Sequence, residues 1–187
     1  MLAGGNCLAN KLGLSDPDEL RIAEGRIVSI RDTALAREIL PGEYNLEHLQ
    51  AFHRMLFGDV YPWAGKTRTV NIAKDGDMFC RWQFVEDQVS AVLARLEDEN
   101  WLIGLKRPKF LELLADFYGE INVRHPFREG NGRTQRAFLR QLAAAAGWRL
   151  DWSALNKDDN TAASRENLLK ADSNLLMKVL DPVVTRM

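Results

Sequence analysis

The stretch His125-Pro126-Phe127-Arg128-Glu129-Gly130-Asn131-Gly132-Arg133-Thr134-Gln135-Arg136 gathers a base, a carboxylate, two glycines and two spaced arginines in one short segment. Gly130 and Gly132 permit backbone conformations that turn several N–H groups toward one point, an anion nest. The loop runs directly into a helix, whose N-terminus adds about half a positive charge. Arg133 and Arg136 stand three apart and project from one face of that first turn, and a guanidinium fork matches phosphate oxygens bidentately. Two cations at a helix N-terminus oppose the dipole, a cost that argues for an anion between them. Glu129 is a hard oxygen ligand beside the nest, suited to a Mg²⁺ that bridges phosphates. His125, at the other end of the loop and the only histidine near the cluster, titrates near neutrality and can accept a proton from a hydroxyl. Phe127 reads as an anchor into the core. Together these parts describe a polyphosphate–metal cradle with a base beside it, and the chemistry implied is attack of a hydroxyl on phosphorus.

Helices must position that loop. A weak capping box at Ser15 and Asp18 opens a helix expected to reach about Glu38, with Leu20, Ala23, Ile27, Ile30, Ala34 and Leu35 at helical spacing before Leu40-Pro41-Gly42 ends it. Asn45 caps a second helix with Leu46, Leu49, Phe52, Met55 and Leu56 on one face. A third spans roughly Gln83 to Glu99. Pro108 sits in the first turn of a fourth, whose stripe includes Phe110, Leu111, Leu114, Phe117, Tyr118 and Ile121. A fifth starts near Gly132 and stops at Gly147, a C-terminal cap. One or two more fill Asp158 to Val184, with Asp158-Asp159 at a helix start. One segment breaks the pattern: Arg68 to Ala73 and Met78 to Trp82 alternate as strands around the turn residues Lys74-Asp75-Gly76-Asp77. The expectation is a short β-hairpin on a helical domain, leaning on the body or awaiting a partner strand.

Composition bounds what the cradle can serve. The 187 residues suit one domain, with 46% hydrophobic and 27% charged residues and no need of a disulfide or metal staple. Lys plus Arg number 25 against 26 Asp plus Glu, so the basic excess of a general nucleic-acid binder is absent. Cys7 and Cys80 fit neither a disulfide framework nor zinc spacing. The longest apolar run, Leu142 to Ala146, cannot span a bilayer, and Met1 to Leu14 does not read as a signal peptide. A cytoplasmic protein with no membrane role and no direct nucleic-acid contact is expected.

The segment from His125 to Arg136 resembles the Fic signature H-x-F-x-(D/E)-G-N-G-R-x-x-R at every specified position. Phe57-Gly-Asp-Val-Tyr-Pro-Trp-Ala-Gly-Lys-Thr-Arg68 is similar to the family's approach to its flap hairpin, and Asn10-Lys-Leu-Gly13 to the start of Fic toxins without a built-in inhibitor. The resemblance covers about Asn10 to Val184. It implies a single all-α Fic domain over residues 1–187, a helical bundle with a flap at about 68–82. It also implies a protein adenylyltransferase that moves AMP from ATP to a Ser, Thr or Tyr hydroxyl of a target protein. Carried over, His125 is the base and Glu129 holds Mg²⁺ on the α- and β-phosphates. Gly130, Asn131 and Gly132 shape the anion hole, with Asn131 also orienting the α-phosphate. Arg133 grips the β-phosphate and Arg136 meets the γ-phosphate. The flap residues Val70, Asn71, Ile72, Ala73, Lys74, Asp75 and Gly76 would register the target by strand addition, and such positioning supplies much of the acceleration.

One departure concerns regulation. Family self-inhibition needs a Ser or Thr four residues before a Glu that is followed by Gly or Asn, and that Glu pairs with the second signature arginine. Before Glu24-Gly25, Glu99-Asn100, Glu129-Gly130 and Glu166-Asn167 stand Leu20, Arg95, His125 and Ala162 instead. The resemblance therefore implies a small separate antitoxin that brings a glutamate to Arg136, with DNA gyrase or topoisomerase IV subunits as the targets of such toxins. Rival readings are a Doc-like kinase with reversed nucleotide, a transferase using another nucleotide donor, and a non-catalytic nucleotide- or partner-binding module. A metal-dependent nuclease is weakest, since Glu129 is the sole anionic ligand of the motif. Doc carries Lys where this chain has Gly132, which favours nucleotidyl transfer. His48 and His53 read as structural. So do Trp63, Trp82, Trp101, Trp148 and Trp152, although Phe79 and Trp82 are placed to border the adenine or target site. Lys74 is either a solvated turn residue or a target contact.

Overall fold

The computed structural model describes residues 7–187. The reading of Met1 to Leu14 therefore lies partly outside the described residues. Among the described residues seven helices carry the fold: α1 (Pro17–Leu35), α2 (Leu46–Phe57), α3 (Val85–Asp98), α4 (Arg107–Arg124), α5 (Asn131–Ala145), α6 (Lys157–Lys170) and α7 (Asn174–Leu180). The first begins at Asp16, not at the expected Ser15 box: the Asp16 carboxylate accepts from the amides of Asp18 and Glu19. It also ends three residues short of Glu38, at Leu35. Asn45 caps α2 and Asn156 caps α6, each through its side-chain oxygen.

The central helix is α4, against which α3, α5, α6 and α7 all pack, while α2 bridges α1 and α5. More of α4 is buried than the expected stripe, because neighbours surround it; Leu113, Ala115 and Gly119 join Phe110, Leu114, Phe117 and Ile121 inside. Phe52, Phe57, Phe127 and Phe138 complete the aromatic core. Among the described residues no helix is long and apolar enough to cross a membrane, and both cysteines are free.

The hairpin is shorter than its sequence pattern. Only β1 (Ala73–Lys74) and β2 (Asp77–Met78) pair, antiparallel, with Ala73 opposite Met78 and Lys74 opposite Asp77. Asp75 and Gly76 both take positive φ, 52° and 87°, as a two-residue turn of the right hand for a hairpin demands. The arm from Arg68 to Ile72 joins no ladder and bends at Thr69 and Val70, and Trp82 opens a 3₁₀ turn; Arg68 and Cys80 bond instead to Pro126 of the signature loop and Val123 of α4. A second ladder went unexpected: β3 (Trp148–Leu150) pairs antiparallel with β4 (Val184–Arg186), closing the chain's end onto the turn after α5.

Candidate active site

The signature loop joins the C-terminus of α4 to the N-terminus of α5. His125 ends α4 in the left-handed region (φ 45°), so its side chain leaves the helix axis at the loop's edge. Its Nδ1 lies 3.0 Å from the Asn122 carbonyl. A carbonyl only accepts, so Nδ1 carries the proton and Nε2 is left with a lone pair. The ring stacks on Phe79 of the flap at 4.0 Å between centroids. Burial pushes its pKa down to about 4, opposed by the Asn122 carbonyl and assisted by the charges of Arg68 and Lys74. At neutral pH this histidine is therefore neutral, with its Nε2 lone pair free to accept a proton.

The N-terminus of α5 has no side-chain cap, as is also true of α3, α4 and α7 but not of α1, α2 and α6, and it opens into the cleft that holds His125 and Arg136. Its first-turn amides are thus available to an anion. Gly130 precedes it at φ 81°, with the fully buried Phe57 ring where a Cβ would stand. Asn131 is buried: its Oδ1 accepts from the Phe127 amide and its Nδ2 donates to the Phe127 carbonyl, both at 2.7 Å. These bonds pin the loop on itself, so this side chain shapes the hole from behind. Phe127 is the core anchor expected of it, 1% exposed. Arg133 and Arg136 share a face and line one cleft of about 790 Å³ with His125, Glu129 and the loop glycines. A second cleft, about 270 Å³, shares Lys74, Phe79, His125, Gly132 and Arg136 and runs on to Tyr118, Asn160, Thr161 and Ser164 of α4 and α6. Lys74 and Phe79 therefore face the site, whereas Trp82 packs outside both clefts.

Three residues that sequence reasoning set aside, or never weighed, hold this machinery. His53 joins the cluster through the fold, although His125 was the only histidine expected there. Its Nε2 donates to the Glu129 carbonyl at 3.0 Å and its Nδ1 accepts from the Gly65 amide at 2.8 Å. It stacks on Phe127 at 4.0 Å, and burial lowers its pKa to about 4. Glu24 of α1, 6% exposed, lies 2.5 Å from Arg133 and accepts from the Tyr61 hydroxyl. Buried beside this carboxylate, Tyr61 has its pKa raised, first by burial. Arg133 also approaches Glu129 at 3.3 Å and lies over the Phe57 ring. The anion foreseen between the two arginines is, for Arg133, partly the protein's own. Arg136 has no carboxylate partner among the described residues. The third residue is Arg68, buried beneath the flap. For Glu24 and His53 a signal existed: each sits at i+4 spacing on a buried apolar face, between Leu20 and Val28 and between Leu49 and Phe57.

Glu129 tests the fit of a metal. Its Oε1 accepts from the Gly130 amide at 2.8 Å and faces Arg133, while its side chain stays 47% exposed at the cleft. Among the described residues no group of three or more His, Cys, Asp or Glu forms a cage. One exposed carboxylate fits a Mg²⁺ that takes its other ligands from phosphate and water.

The central helix of the bundle delivers a neutral histidine to an uncapped, arginine-flanked helix N-terminus, an arrangement with the chemistry to take a phosphate. The Fic/DOC family profile matches residues 43–143. The protein adenylyltransferase VbhT of Bartonella schoenbuchensis is 40% identical over 158 residues, 84% of this chain and 33% of that protein, so the chain spans about a third of its length. The probable protein adenylyltransferase Fic of Escherichia coli is 35% identical over 182 residues, 97% of this chain and 90% of that one. The crystal structure of BepC, a VirB-translocated effector of Bartonella tribocorum with bound AMPPNP, matches with a TM-score of 0.94 at 26% identity, covering 100% of this chain and 96% of that one. This chain belongs to the Fic/DOC family and has the Fic fold.

Proposed function

We propose that this chain is a protein adenylyltransferase, moving AMP from ATP to a hydroxyl of another protein. The observation that carries this is the His125 tautomer: Nδ1 is tied to the Asn122 carbonyl, leaving a neutral Nε2 beside the uncapped α5 N-terminus. Nε2 takes the proton of the target Ser, Thr or Tyr hydroxyl as its oxygen bonds to the α-phosphorus. The bond from that phosphorus to the β-phosphate oxygen breaks, and pyrophosphate leaves. The first-turn amides of α5, with Gly130, Asn131 and Gly132 setting their conformation, face the negative charge that builds on the α-phosphate. Arg133 pairs the β-phosphate and Arg136 the γ-phosphate. The cleft between α4, α6 and the flap, with Tyr118, Asn160, Thr161 and Ser164, suits the nucleoside. Glu129 would hold Mg²⁺ on the phosphates, where the ion supplies charge neutralisation. The flap, Val70 to Gly76, registers the target main chain next to His125, and Lys74, which lines both clefts, contacts target or nucleotide.

The name VbhT, the E. coli relative and the AMPPNP bound by BepC support ATP as the donor. Against reversed, Doc-like phosphotransfer stands Gly132. A Cβ there meets only the Arg136 Nη1 at 3.3 Å, so the space that a lysine fills is open for an α-phosphate.

Our reading extends to regulation. Arg136 lacks a carboxylate partner among the described residues, and a groove of about 260 Å³ lined by Gly25, Val28, Ser29 and Asp32 of α1 leads to it and to Arg133. A small antitoxin delivering a glutamate along that groove fits a toxin–antitoxin pair in the cytoplasm, with a gyrase or topoisomerase IV subunit as target.

The test runs α- and γ-labelled ATP in parallel, with Mg²⁺ and a bacterial lysate, on wild-type protein and His125→Ala. Label from the α-position alone, lost in the variant while nucleotide binding persists, is the expected result. Label from the γ-position alone means a kinase, and equal activity in the variant removes His125 from the mechanism.

A further inference from the structure

We propose that Arg68 is a positioning residue that couples the flap to the catalytic base, one guanidinium holding both arms of the flap and the carbonyl of His125 in a single rigid junction. Its Nε donates to the His125 carbonyl at 2.8 Å and its Nη1 to Val70 at 2.8 Å. Its Nη2 donates to the carbonyls of Cys80 and, at 3.1 Å, Arg124. The backbone repeats the link: the Arg68 amide donates to Pro126 at 2.8 Å and the Cys80 amide to Val123 at 3.2 Å.

Arg68 is 3% exposed and has no carboxylate partner among the described residues. A buried cation without an anion is costly, so its surroundings must offset it. They do so with carbonyl dipoles at the C-terminus of α4, where the helix macrodipole is negative and the last carbonyls lack intrahelical donors. Only the planar fork of arginine reaches four carbonyls from one point; an ammonium has three donors and no plane. The junction also secures the left-handed backbone of His125, a conformation that persists only where neighbours over-determine it. The two arms at Val70 and Cys80 have no ladder between them, so Arg68 replaces strand pairing at the root of the flap. A target strand docked on the flap is thereby held at fixed distance from the His125 ring.

This inference rests on His125 as the base and the flap as the docking strand, but its first readouts need neither activity. Arg68→Lys and Arg68→Gln are compared with wild type by amide hydrogen exchange and by NMR titration of the His125 ring. In both variants the Phe79 and Cys80 amides should exchange at least about tenfold faster, the scale of one lost charged hydrogen bond, while the centre of α4 keeps its protection. The His125 ring should titrate closer to an ordinary histidine in Arg68→Gln and stay low in Arg68→Lys, which retains the charge. Lys74, Asp75 and Asp77 of the flap, Arg128 and Glu129 of the loop, Arg133 and Arg136 of α5, and Lys157 and Arg165 of α6 also face these clefts and are unchanged in both. In the transfer assay the KM for target should rise more than the KM for ATP. A folded variant with wild-type flap exchange, or one whose loss of protection is uniform along the chain, overturns the proposal. If Arg68→Gln does not fold, the exchange of Arg68→Lys decides alone. If neither folds, amide exchange of the wild type decides: a Cys80 amide, which donates to Val123, no better protected than the Gly76 tip overturns the proposal, and one protected like the last turn of α4 supports it. Absence of AMP transfer by wild type would remove the proposed activity and leave the junction measurable.

Discussion

Gly130 and Gly132 read alike in sequence, and the structure gives them different tasks that two alanine substitutions separate. At Gly130 φ is 81°, and an added Cβ would come within 2.3 Å of the Phe57 ring. The left-handed backbone costs a non-glycine residue about 1–2 kcal/mol, and forcing a methyl against a fully buried phenyl adds about 1–3 kcal/mol. Gly130→Ala should therefore lose roughly 2–5 kcal/mol, a drop in melting temperature of about 5–15 °C for a domain of this size. The damage is directional as well. Phe57 carries the Arg133 guanidinium at 4.8 Å, so a displaced ring takes with it the arginine proposed to pair the β-phosphate. At Gly132 the backbone is helical and the added methyl meets only the end of the Arg136 side chain at 3.3 Å. Gly132→Ala should melt at or slightly above the wild type, because alanine is the better helix residue by about 0.5–1 kcal/mol. Its deficit should appear in nucleotide affinity, since the methyl narrows the space before the α5 amides. Thermal unfolding by circular dichroism and ATP titration by calorimetry measure the two quantities. If Gly130→Ala melts with the wild type, or Gly132→Ala is the less stable of the two, the steric account of this loop is wrong.

Three further outcomes are expected. The depressed pKa of His53, about 4 against 6.5, means the folded protein binds fewer protons than the unfolded chain between those values. It contributes about 3 kcal/mol that is present above pH 6.5 and lost as pH falls to 4, so denaturant titrations should show a shallower acid limb in His53→Gln. Glu24→Gln should lose roughly 1–3 kcal/mol, less than a fully buried pair because the Arg133 side chain is 32% exposed, and a double-mutant cycle with Tyr61→Phe should couple by more than about 0.5 kcal/mol. Additive losses would mean the two do not share one carboxylate. Arg165→Ala, which cuts the 2.6 Å bridge from α6 to Asp77 of β2, should leave the melting temperature nearly unchanged and speed amide exchange at the flap tip. Unaltered exchange would show that the flap does not lean on α6.

The sequence by itself determined the local features of this protein. Helical periodicity located α2 through α5, Asp75-Gly76 located the tip of the hairpin, and the segment from His125 to Arg136 carried its chemistry in order along the chain. Such features were legible because each depends on residues within a turn or two of one another: a cap and its amides, a two-residue hairpin turn, a loop leading into a helix N-terminus. The tertiary structure alone decided what comes from afar. Glu24 reaches Arg133 from α1, His53 holds the Glu129 carbonyl from α2, and Arg68 ties the flap to the end of α4. The β3–β4 ladder joins segments either side of α6 and α7, and neither strand has a period long enough to read. These pairings appear only once hydrophobic burial has packed the helices around α4, since a buried polar group takes its partner from whatever packing brings within reach. Sequence placed the groups of the signature loop; packing chose the groups that hold them still.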